Sequence, residues 1–253
     1  MIRPAAWLLA CALCLGAQAP IENTGKPMRV PFECTEADMV ATGLSCSEDE
    51  PCPVYLELAN MQAAGNKLFL VGNLHTPTTT LFSILLASED AGATWTEPHP
   101  RIRSAGLDQI QFFDFQNGWI SGANLQGAPR DPFFLVTTDG GKTWRQRPVF
   151  DESRLASIER FWFESPENGS MLVDARLDNA KHELYDTRTG GESWALRQAS
   201  ADPIRFPGNA EPAASGWRVR ADAATRSYAI ERSEGERWQR AASFLVAAGT
   251  CKP

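Results

Sequence analysis

Short apolar runs separated by Gly, Pro, Asn and Asp recur along the chain from residue 54 onward. Runs of this kind, rich in β-branched and aromatic residues and bounded by turn formers, are typical of β-strands rather than helices. Each period holds a first strand, a Gly-led second strand and a third strand. The first-strand runs lie at 54–61, 108–115 and 157–164 with a weaker copy at about 204–210, the second-strand runs at 65–73, 117–124, 168–175 and 215–222, and the third-strand runs at 80–88, 132–138, 182–187 and 226–232.

An eight-residue motif begins at the end of every third strand. SEDAGATW (88–95) and TTDGGKTW (137–144) both read Ser/Thr-x-Asp-x-Gly-x-Thr-Trp, whereas TRTGGESW (187–194) and ERSEGERW (231–238) are degraded copies. The tryptophans that end the four copies are 49, 50 and 44 positions apart. A period near fifty is typical of propeller blades.

The pattern predicts an all-β protein, a β-propeller with four recognisable blades of four antiparallel strands, the fourth strand starting at the tryptophan. A radial arrangement of such sheets protects their edges. We expect residues 54–253 to form the propeller. Residues 20–53, which contain three cysteines, either cap one face or combine with the C-terminal tail as a composite fifth blade. Pairing of the tail at 243–249 with the strand at 54–61 would close the ring.

The repeated motif has a structural explanation. Its aspartate accepts hydrogen bonds from nearby backbone N–H groups, its glycine adopts angles that other residues resist, and its tryptophan packs between neighbouring blades. Catalysis would need one complete copy, whereas Thr189 and Ser233 replace the aspartate in two of the four. We therefore predict structural roles for Asp90, Gly92, Trp95, Asp139, Gly141, Trp144, Gly191, Trp194 and Trp238.

These motifs, with the phrase QIQFFDFQNGWISG (109–122), resemble the Asp-box (BNR) repeat propellers over roughly residues 54–245. Within that class the chain is similar to the photosystem II stability/assembly factor-like and YVTN/BNR-like proteins. The resemblance implies an exported scaffold that binds proteins or glycans. Sialidases share the class, but their arginine motif has only a scrambled, late counterpart at 204–207, and no tyrosine stands in the context of their Tyr–Glu pair.

Residues 1–19 have the features of a cleaved signal peptide. Arg3 supplies the positive charge, an apolar run follows from Ala5 to Gly16, and a small-x-small cleavage site ends at Ala19. The apolar run is too short to span a bilayer, and no transmembrane segment is predicted. We therefore expect export to the periplasm or the extracellular space, with lipidation at Cys11 as the alternative.

Four cysteines remain after cleavage, namely Cys34, Cys46, Cys52 and Cys251. In an oxidising compartment they predict two disulfides, and in every pairing Cys251 ties the two ends of the chain together. We favour Cys52–Cys251 with Cys34–Cys46, because Cys52 and Cys251 flank the strands that close the ring. The pairing Cys46–Cys52 with Cys34–Cys251 stays open. Their spacings match no familiar zinc site.

The charge pattern indicates what the chain binds. A net charge of −7 disfavours nucleic acid, which needs a basic face. The loops expected opposite the motifs nevertheless carry basic residues that predict an arginine-lined site for carboxylates or an acidic peptide. They are Arg101, Arg103, Arg130, Arg154, Arg176, Arg205 and His75. Ordinary solvated loops would look the same, because most basic residues of this chain are arginines. No metal or cofactor is predicted.

The sequence thus predicts a non-catalytic scaffold that binds a protein partner, in the assembly or stabilisation of an envelope complex. The alternative is a carbohydrate-binding or sialidase-like glycoside-hydrolase propeller with its substrate in the central channel. That alternative requires inward-facing carboxylates and aromatic side chains on which a sugar can stack. Trp119, Trp162 and Trp217 are instead expected in the blade core.

Overall fold

The computed structural model describes residues 19–176, 180–208 and 216–252, so the predicted signal peptide up to residue 18 lies outside the described residues. The described residues form β-strands and one short helix, α1 (Glu36–Thr42), and none of their helices is long and apolar enough to cross a bilayer. The strands are β1 (Ile21–Glu22), β2 (Cys52–Ala64), β3 (Lys67–His75), β4 (Thr80–Ser88), β5 (Thr94–Trp95), β6 (Ala105–Phe112), β7 (Gly118–Asn124), β8 (Arg130–Thr137), β9 (Arg145–Pro148), β10 (Ser157–Phe163), β11 (Gly169–Asp174), β12 (His182–Thr187), β13 (Ala195–Ser200), β14 (Trp217–Asp222), β15 (Ser227–Glu234), β16 (Arg237–Leu245) and β17 (Ala247–Cys251).

The strands build four main sheets of antiparallel neighbours. The first sheet has the order β17-β2-β3-β4, the second β6-β7-β8-β9, the third β10-β11-β12-β13 and the fourth β14-β15-β16. The strands β2, β6 and β10 lie where neighbouring sheets meet. The first sheet packs against the second, the second against the third, and the fourth against the first, as neighbouring propeller blades do. The all-β architecture predicted from the sequence is confirmed.

The fourth sheet has no counterpart of β2, β6 and β10 among the described residues. The first strand predicted at about 204–210 is not formed where it is described. Prolines flank this stretch and cannot donate to a strand ladder. Ile204 and Phe206 instead pack on Leu172 and Leu184 of the third sheet. The segment therefore covers part of the third sheet rather than extending the fourth.

Three buried clusters join neighbouring sheets. The first joins the fourth sheet to the first around Trp95 and Phe244, and the second joins the first sheet to the second around Phe69 and Trp144. The third joins the second sheet to the third around Phe134. Within the described part of the chain, no buried cluster joins the third sheet to the fourth. We call the sides of these two sheets that face away from the three clusters the third-sheet and fourth-sheet end faces, and residues 204–208 cover part of the third-sheet end face.

The motif tryptophans follow the same division. Trp95 and Trp144 are 0% and 7% exposed at their junctions, and Trp194 packs beside Phe134 of the second sheet. Trp238 is 40% exposed and lies under the guanidinium of Arg218, which is 4.1 Å from its ring centroid. The expectation that all four tryptophans pack between sheets is wrong for Trp238, because no sheet of the described residues covers its side.

The N-terminal segment fastens the fourth sheet to the first. β1 pairs with β5, and Met28 forms an isolated bridge to β16. The Asn23 amide donates to the carbonyl oxygens of Gly92 in the first sheet and Ala241 in the fourth, at 2.9 and 2.8 Å. The C-terminal tail joins the first sheet as β17, which pairs with β2 as expected, although residues 243–245 belong to β16 instead.

The disulfide pairing differs from the favoured one. Cys34 bonds to Cys251, and Cys46 bonds to Cys52. Cys52 does lie opposite Cys251 where β17 pairs with β2. The N-terminal segment, however, crosses over Gly249 and brings the Cα of Cys34 to 5.0 Å from that of Cys251. A strand pattern in the sequence does not indicate this crossing, so the pairing could not be predicted from it. The covalent tie between the two ends of the chain is present as expected.

Candidate functional site

The two complete motifs fold into turns that their aspartates hold together. Asp139 accepts hydrogen bonds from the backbone N–H of Thr143 at 3.0 Å and from its hydroxyl at 2.6 Å. Asp90 holds Thr94 in the same way. These hydrogen bonds lower the pKa of each aspartate to about 2. The tryptophan of each turn donates to the glycine carbonyl oxygen of the same turn, so both turns are closed within the chain.

The degraded motifs depart from this turn in two steps. In the third copy Thr189 takes the place of the aspartate and accepts the backbone N–H of Ser193 at 2.9 Å. The indole nitrogen of Trp194 has no hydrogen-bond partner among the described atoms. The fourth copy is a tight hairpin between β15 and β16 with Glu234 opposite Arg237. The motif turn therefore keeps fewer of these hydrogen bonds in the third and fourth sheets, which are the two sheets that carry the end faces.

Two members of the predicted arginine face hold the N-terminal segment. Arg101 forms a two-bond ion pair with Glu97 and donates to the carbonyl oxygen of Pro31 at 2.8 Å. Arg103 pairs with Asp38 of α1 at 2.8 Å. Both guanidiniums are engaged by other parts of the chain, although Arg103 keeps 49% of its side chain exposed, and α1 lies over this part of the predicted face.

Arg154 belongs to a buried polar cluster. It pairs with Glu183 at 3.0 Å and stacks 4.4 Å above the ring of Phe150. The hydroxyl of Tyr185 donates to the same carboxylate at 2.7 Å, and burial together with Glu183 raises the pKa of Tyr185 to about 12. The tyrosine and the glutamate are 7% and 6% exposed, so a polymeric substrate cannot reach them.

The remaining predicted residues lie apart from one another. Arg130 and Arg176 pair at 3.3 and 3.4 Å with aspartates next to them in the chain. Arg205 is exposed on the segment that covers the third sheet, and His75 rests against the ring of Tyr55. The set is thus distributed over several local ion pairs rather than gathered in one open face.

The third-sheet end face contains an open, polar cleft of about 380 Å³. Trp162 lines it together with Ser170 and Asp186, which are joined by a 2.8 Å hydrogen bond. Arg188 and Arg197 line both this cleft and an adjoining depression of about 540 Å³. Trp162, expected in a blade core, is therefore part of an open groove with two arginines.

The fourth-sheet end face is also rich in arginine. Arg218 and Arg220 both pair with Glu231, at 2.7 and 3.2 Å, and this glutamate is only 6% exposed. Trp238 lies beneath Arg218, and Arg240 pairs with the aspartate that ends β14. A tryptophan and three arginines, each of the arginines more than 40% exposed, thus cover this side of the sheet.

Glutamine side chains clamp neighbouring sheets, but not at the third-sheet end face. Gln111 accepts the N–H of Phe163 and donates to its carbonyl oxygen, both at 2.8 Å. Gln62 clamps Phe112 in the same way. Each glutamine stands three positions after a β-bulge, and Trp162 takes that position in the third sheet. The clamp residue is thus replaced by the tryptophan of the cleft.

The same bulges expose side chains that the sequence interpretation missed. They leave Ala59, Asp108 and Glu159 unpaired in the ladders of β2, β6 and β10. A bulge bends its strand and re-aims a side chain. Two glycines could have indicated the bulges from the sequence alone. Gly72 and Gly122 lie opposite the first two bulges, at positions where a Cβ would collide with a backbone carbonyl oxygen. Glycines fifty positions apart therefore marked the bulges.

Comparison with known proteins gives distant likenesses. No family model matches the chain. The oligoxyloglucan-reducing end-specific xyloglucanase of Emericella nidulans is 26% identical over 147 residues, 53% of this chain and 17% of that protein. The solved structure of YCF48 bound to D1 peptide has a TM-score of 0.40 and 19% identity, and covers 77% of this chain and 57% of that one. The GH74 xyloglucanase of Xanthomonas campestris has a TM-score of 0.41 and 15% identity, over 72% of this chain and 28% of that one. The chain thus spans less than two thirds of the length of each.

Proposed function

We propose that the chain is an exported Asp-box β-propeller of four blades, a non-catalytic scaffold that binds a protein partner through its two end faces. The composition of these faces carries the proposal. Trp162, Arg188 and Arg197 lie on the third-sheet side, and Trp238 and Arg218 on the fourth-sheet side. Tryptophan and arginine dominate the binding energy of protein interfaces. The partner fits best if its surface is acidic. Arg188 forms no ion pair among the described residues, and Arg197, Arg218, Arg220 and Arg240 stay more than 40% exposed although each pairs with a local carboxylate.

The exposure of one tryptophan supports the same conclusion. Trp238 is 40% exposed, whereas Trp95 and Trp144 at the equivalent repeat position are 0% and 7% exposed. The large apolar area of an indole stabilises a fold only when it is covered. An uncovered motif tryptophan therefore offers this area to a partner.

Export is supported by the cysteines. All four cysteines of the described chain form disulfides. Such bonds persist in oxidising compartments outside the cytosol. Together with the signal-peptide features of residues 1–19, this favours a partner in the same compartment, within an envelope complex that the scaffold helps to assemble or stabilise.

Two steps test the proposal. The oxidised protein, residues 20–253, is first cross-linked to envelope extract of its host, and the captured protein is identified and purified. Its affinity is then measured by calorimetry for the unmodified protein and for Trp162→Ala and Trp238→Ala. We expect each variant to lose roughly 30-fold in affinity, about 2 kcal/mol for a hot-spot tryptophan.

Phe115→Ala is the matched control, since Phe115 is a 74% exposed aromatic on a turn of the second sheet. It should leave the affinity unchanged. Equal affinity of all three variants and the unmodified protein would refute the role of the end faces. Release of sugars from a polysaccharide, abolished by Asp108→Asn, would refute the non-catalytic part of the proposal and favour the glycoside-hydrolase alternative.

A further inference from the structure

Two acidic residues from neighbouring sheets lie at the junction of the first and second sheets, where the charge of one acts on the other. Asp108 is the bulge residue of β6, and Glu57 lies on β2, the strand that β6 packs against. Asn73, opposite Glu57 in the ladder, donates its amide to Glu57 Oε2 at 2.9 Å. The same amide nitrogen lies 3.7 Å from the Cβ position of Gly106, two residues before Asp108. Both carboxylates are exposed to solvent.

No cation of the described residues neutralises either carboxylate. The buried carboxylates elsewhere are paired, since Asp38, Glu183 and Glu231 each bind at least one arginine. Glu57 and Asp108 form no ion pair with any described lysine or arginine. The surrounding protein desolvates the carboxylate of Asp108 and raises its pKa, and the negative charge of Glu57 raises that pKa further. Two negative charges that lie close together repel each other, which raises the free energy of the ionised pair. A bound cation would lower it again.

The carboxamide of Asn73 gives a second, independent indication of a ligand. Asn73 is 8% exposed, and its Oδ1 has no hydrogen-bond partner among the described atoms. A buried acceptor without a donor is unfavourable by about 1–3 kcal/mol. Its amide nitrogen donates to Glu57, so the unpaired oxygen is on the same carboxamide group that contacts this carboxylate. Two carboxylates and one carboxamide oxygen are all acceptors, and their complement is a group that carries several donors.

We propose that Glu57 and Asp108, with Asn73 behind them, form a binding site for a guanidinium group, as carried by an arginine side chain of a peptide. A guanidinium has five N–H donors in one plane and suits several oxygen acceptors at once. A metal ion fits less well, because no three His, Cys, Asp or Glu side chains of the described residues lie close enough to hold one. The site lies away from the end faces and does not depend on a partner there.

The third sheet provides a matched comparison. Glu159 is the bulge residue of β10, equivalent to Asp108, but its carboxylate lies 3.6 Å from Nδ1 of His182. It has no second carboxylate of the kind that Glu57 supplies. Glu159→Gln therefore removes a bulge carboxylate without touching the proposed site.

The experiment uses the oxidised protein, residues 20–253, labelled with ¹³C at the Asp and Glu carboxyl carbons. The blocked tripeptide acetyl-Gly-Arg-Gly-amide is titrated, with the same tripeptide carrying citrulline as its uncharged isostere. We expect the arginine peptide to shift the resonances of Asp108 and Glu57. Asp108→Asn and Glu57→Gln should each weaken binding about tenfold, equivalent to about 1.4 kcal/mol, and Glu159→Gln should not.

Three results with the peptides would each overturn the proposal. They are unshifted Asp108 and Glu57 resonances at tens of millimolar peptide, equal shifts with the citrulline peptide, and unchanged affinity in Asp108→Asn. Folding is not a confounding factor, because Asp108→Asn relieves a like-charge contact and should unfold at the same or a higher temperature. A xyloglucan oligosaccharide that shifts both carboxyls while the peptide does not would also overturn it, in favour of a glycan site.

Discussion

The junction between the second and third sheets and the third-sheet end face lie on opposite sides of the same sheet. At the junction, Trp119 stacks on Phe163 with ring centroids 3.8 Å apart, and Gln111 clamps the backbone of the same phenylalanine. On the third-sheet end face, Trp162 lines a polar cleft. The third sheet thus has one side that is packed with aromatic residues and another side that is open to solvent and lined by arginines.

The difference shows that the repeat alone does not specify packing. The repeat pattern of the sequence continues through all four periods, yet the glutamine clamps stop after the second sheet. Gln111 and Gln109 clamp β10, while Trp162 and Arg160 stand at the equivalent positions one repeat later. Because a clamp works only with a neighbouring strand, its absence marks the end of the packed series.

The largest loss of stability is expected from removing the disulfide that ties the two ends of the chain together. Loss of the Cys34–Cys251 disulfide, through serine at both positions, releases a loop of 217 residues. The chain-entropy relation gives about 5 kcal/mol of unfolding free energy for that loop. Urea denaturation of the oxidised variants measures the loss.

Serine at Cys46 and Cys52 is the matched control, since this bond closes only six residues. The same relation gives about 2 kcal/mol. Equal losses in the two double variants would show that the N-terminal segment, and not the long loop, sets the stability of the closure.

The next largest effect contrasts two tryptophans. Trp119→Ala removes a side chain that is 2% exposed and donates to Gly190 across the junction at 3.0 Å. We expect a loss of about 3–5 kcal/mol, typical of a buried aromatic. Trp238→Ala should lose less than about 1 kcal/mol, because Trp238 is 40% exposed and no buried cluster of the described residues contains it. A similar loss in both variants would mean that the fourth-sheet end face is packed in solution.

These contrasts also mark what the sequence alone could predict. A fifty-residue period and strand-like runs were enough to predict an all-β chain of several antiparallel sheets, and the motif was enough to predict the hydrogen bonds that Asp90 and Asp139 accept in their turns. The exposure of Trp238, the Cys34–Cys251 pairing and the position of Asp108 were not predictable in this way. Each depends on which segment passes beside another far away in the chain, and local patterns carry no information about that.

The clamp itself is expected to contribute a smaller amount. Gln111→Ala leaves the N–H and carbonyl of Phe163 without partners in a site where the glutamine is 4% exposed. An unsatisfied buried group is unfavourable by about 1–3 kcal/mol. Gln109→Ala, whose bond to Glu159 is open to water, should lose less than about 1 kcal/mol. Chemical denaturation compares the two, and equal losses would contradict a special role for the buried clamp.

The smallest effect concerns the turns and depends on pH. The pKa of Asp139 is about 2 in the folded protein against an ordinary 3.8. A lowered folded pKa stabilises the fold above the unfolded value, so this contribution is complete above about pH 5 and is lost as the pH falls towards 2. Asp139→Ala should lose roughly 1 kcal/mol at pH 7, as for a removed hydrogen bond. It should also show a flatter decline of stability between pH 4 and 2.

Thr189→Ala separates charge from hydrogen bonding, because Thr189 holds the equivalent turn of the third sheet without an ionisable group. It should lose a similar amount at pH 7, and its stability should fall with pH in parallel with the unmodified protein. If the stability of Asp139→Ala also fell with pH in parallel with that of the unmodified protein, the charge of the aspartate would contribute nothing beyond its role as a hydrogen-bond acceptor. The difference between the second and third turns would then reside in geometry, in line with the unpaired indole nitrogen of Trp194 beside the third-sheet end face.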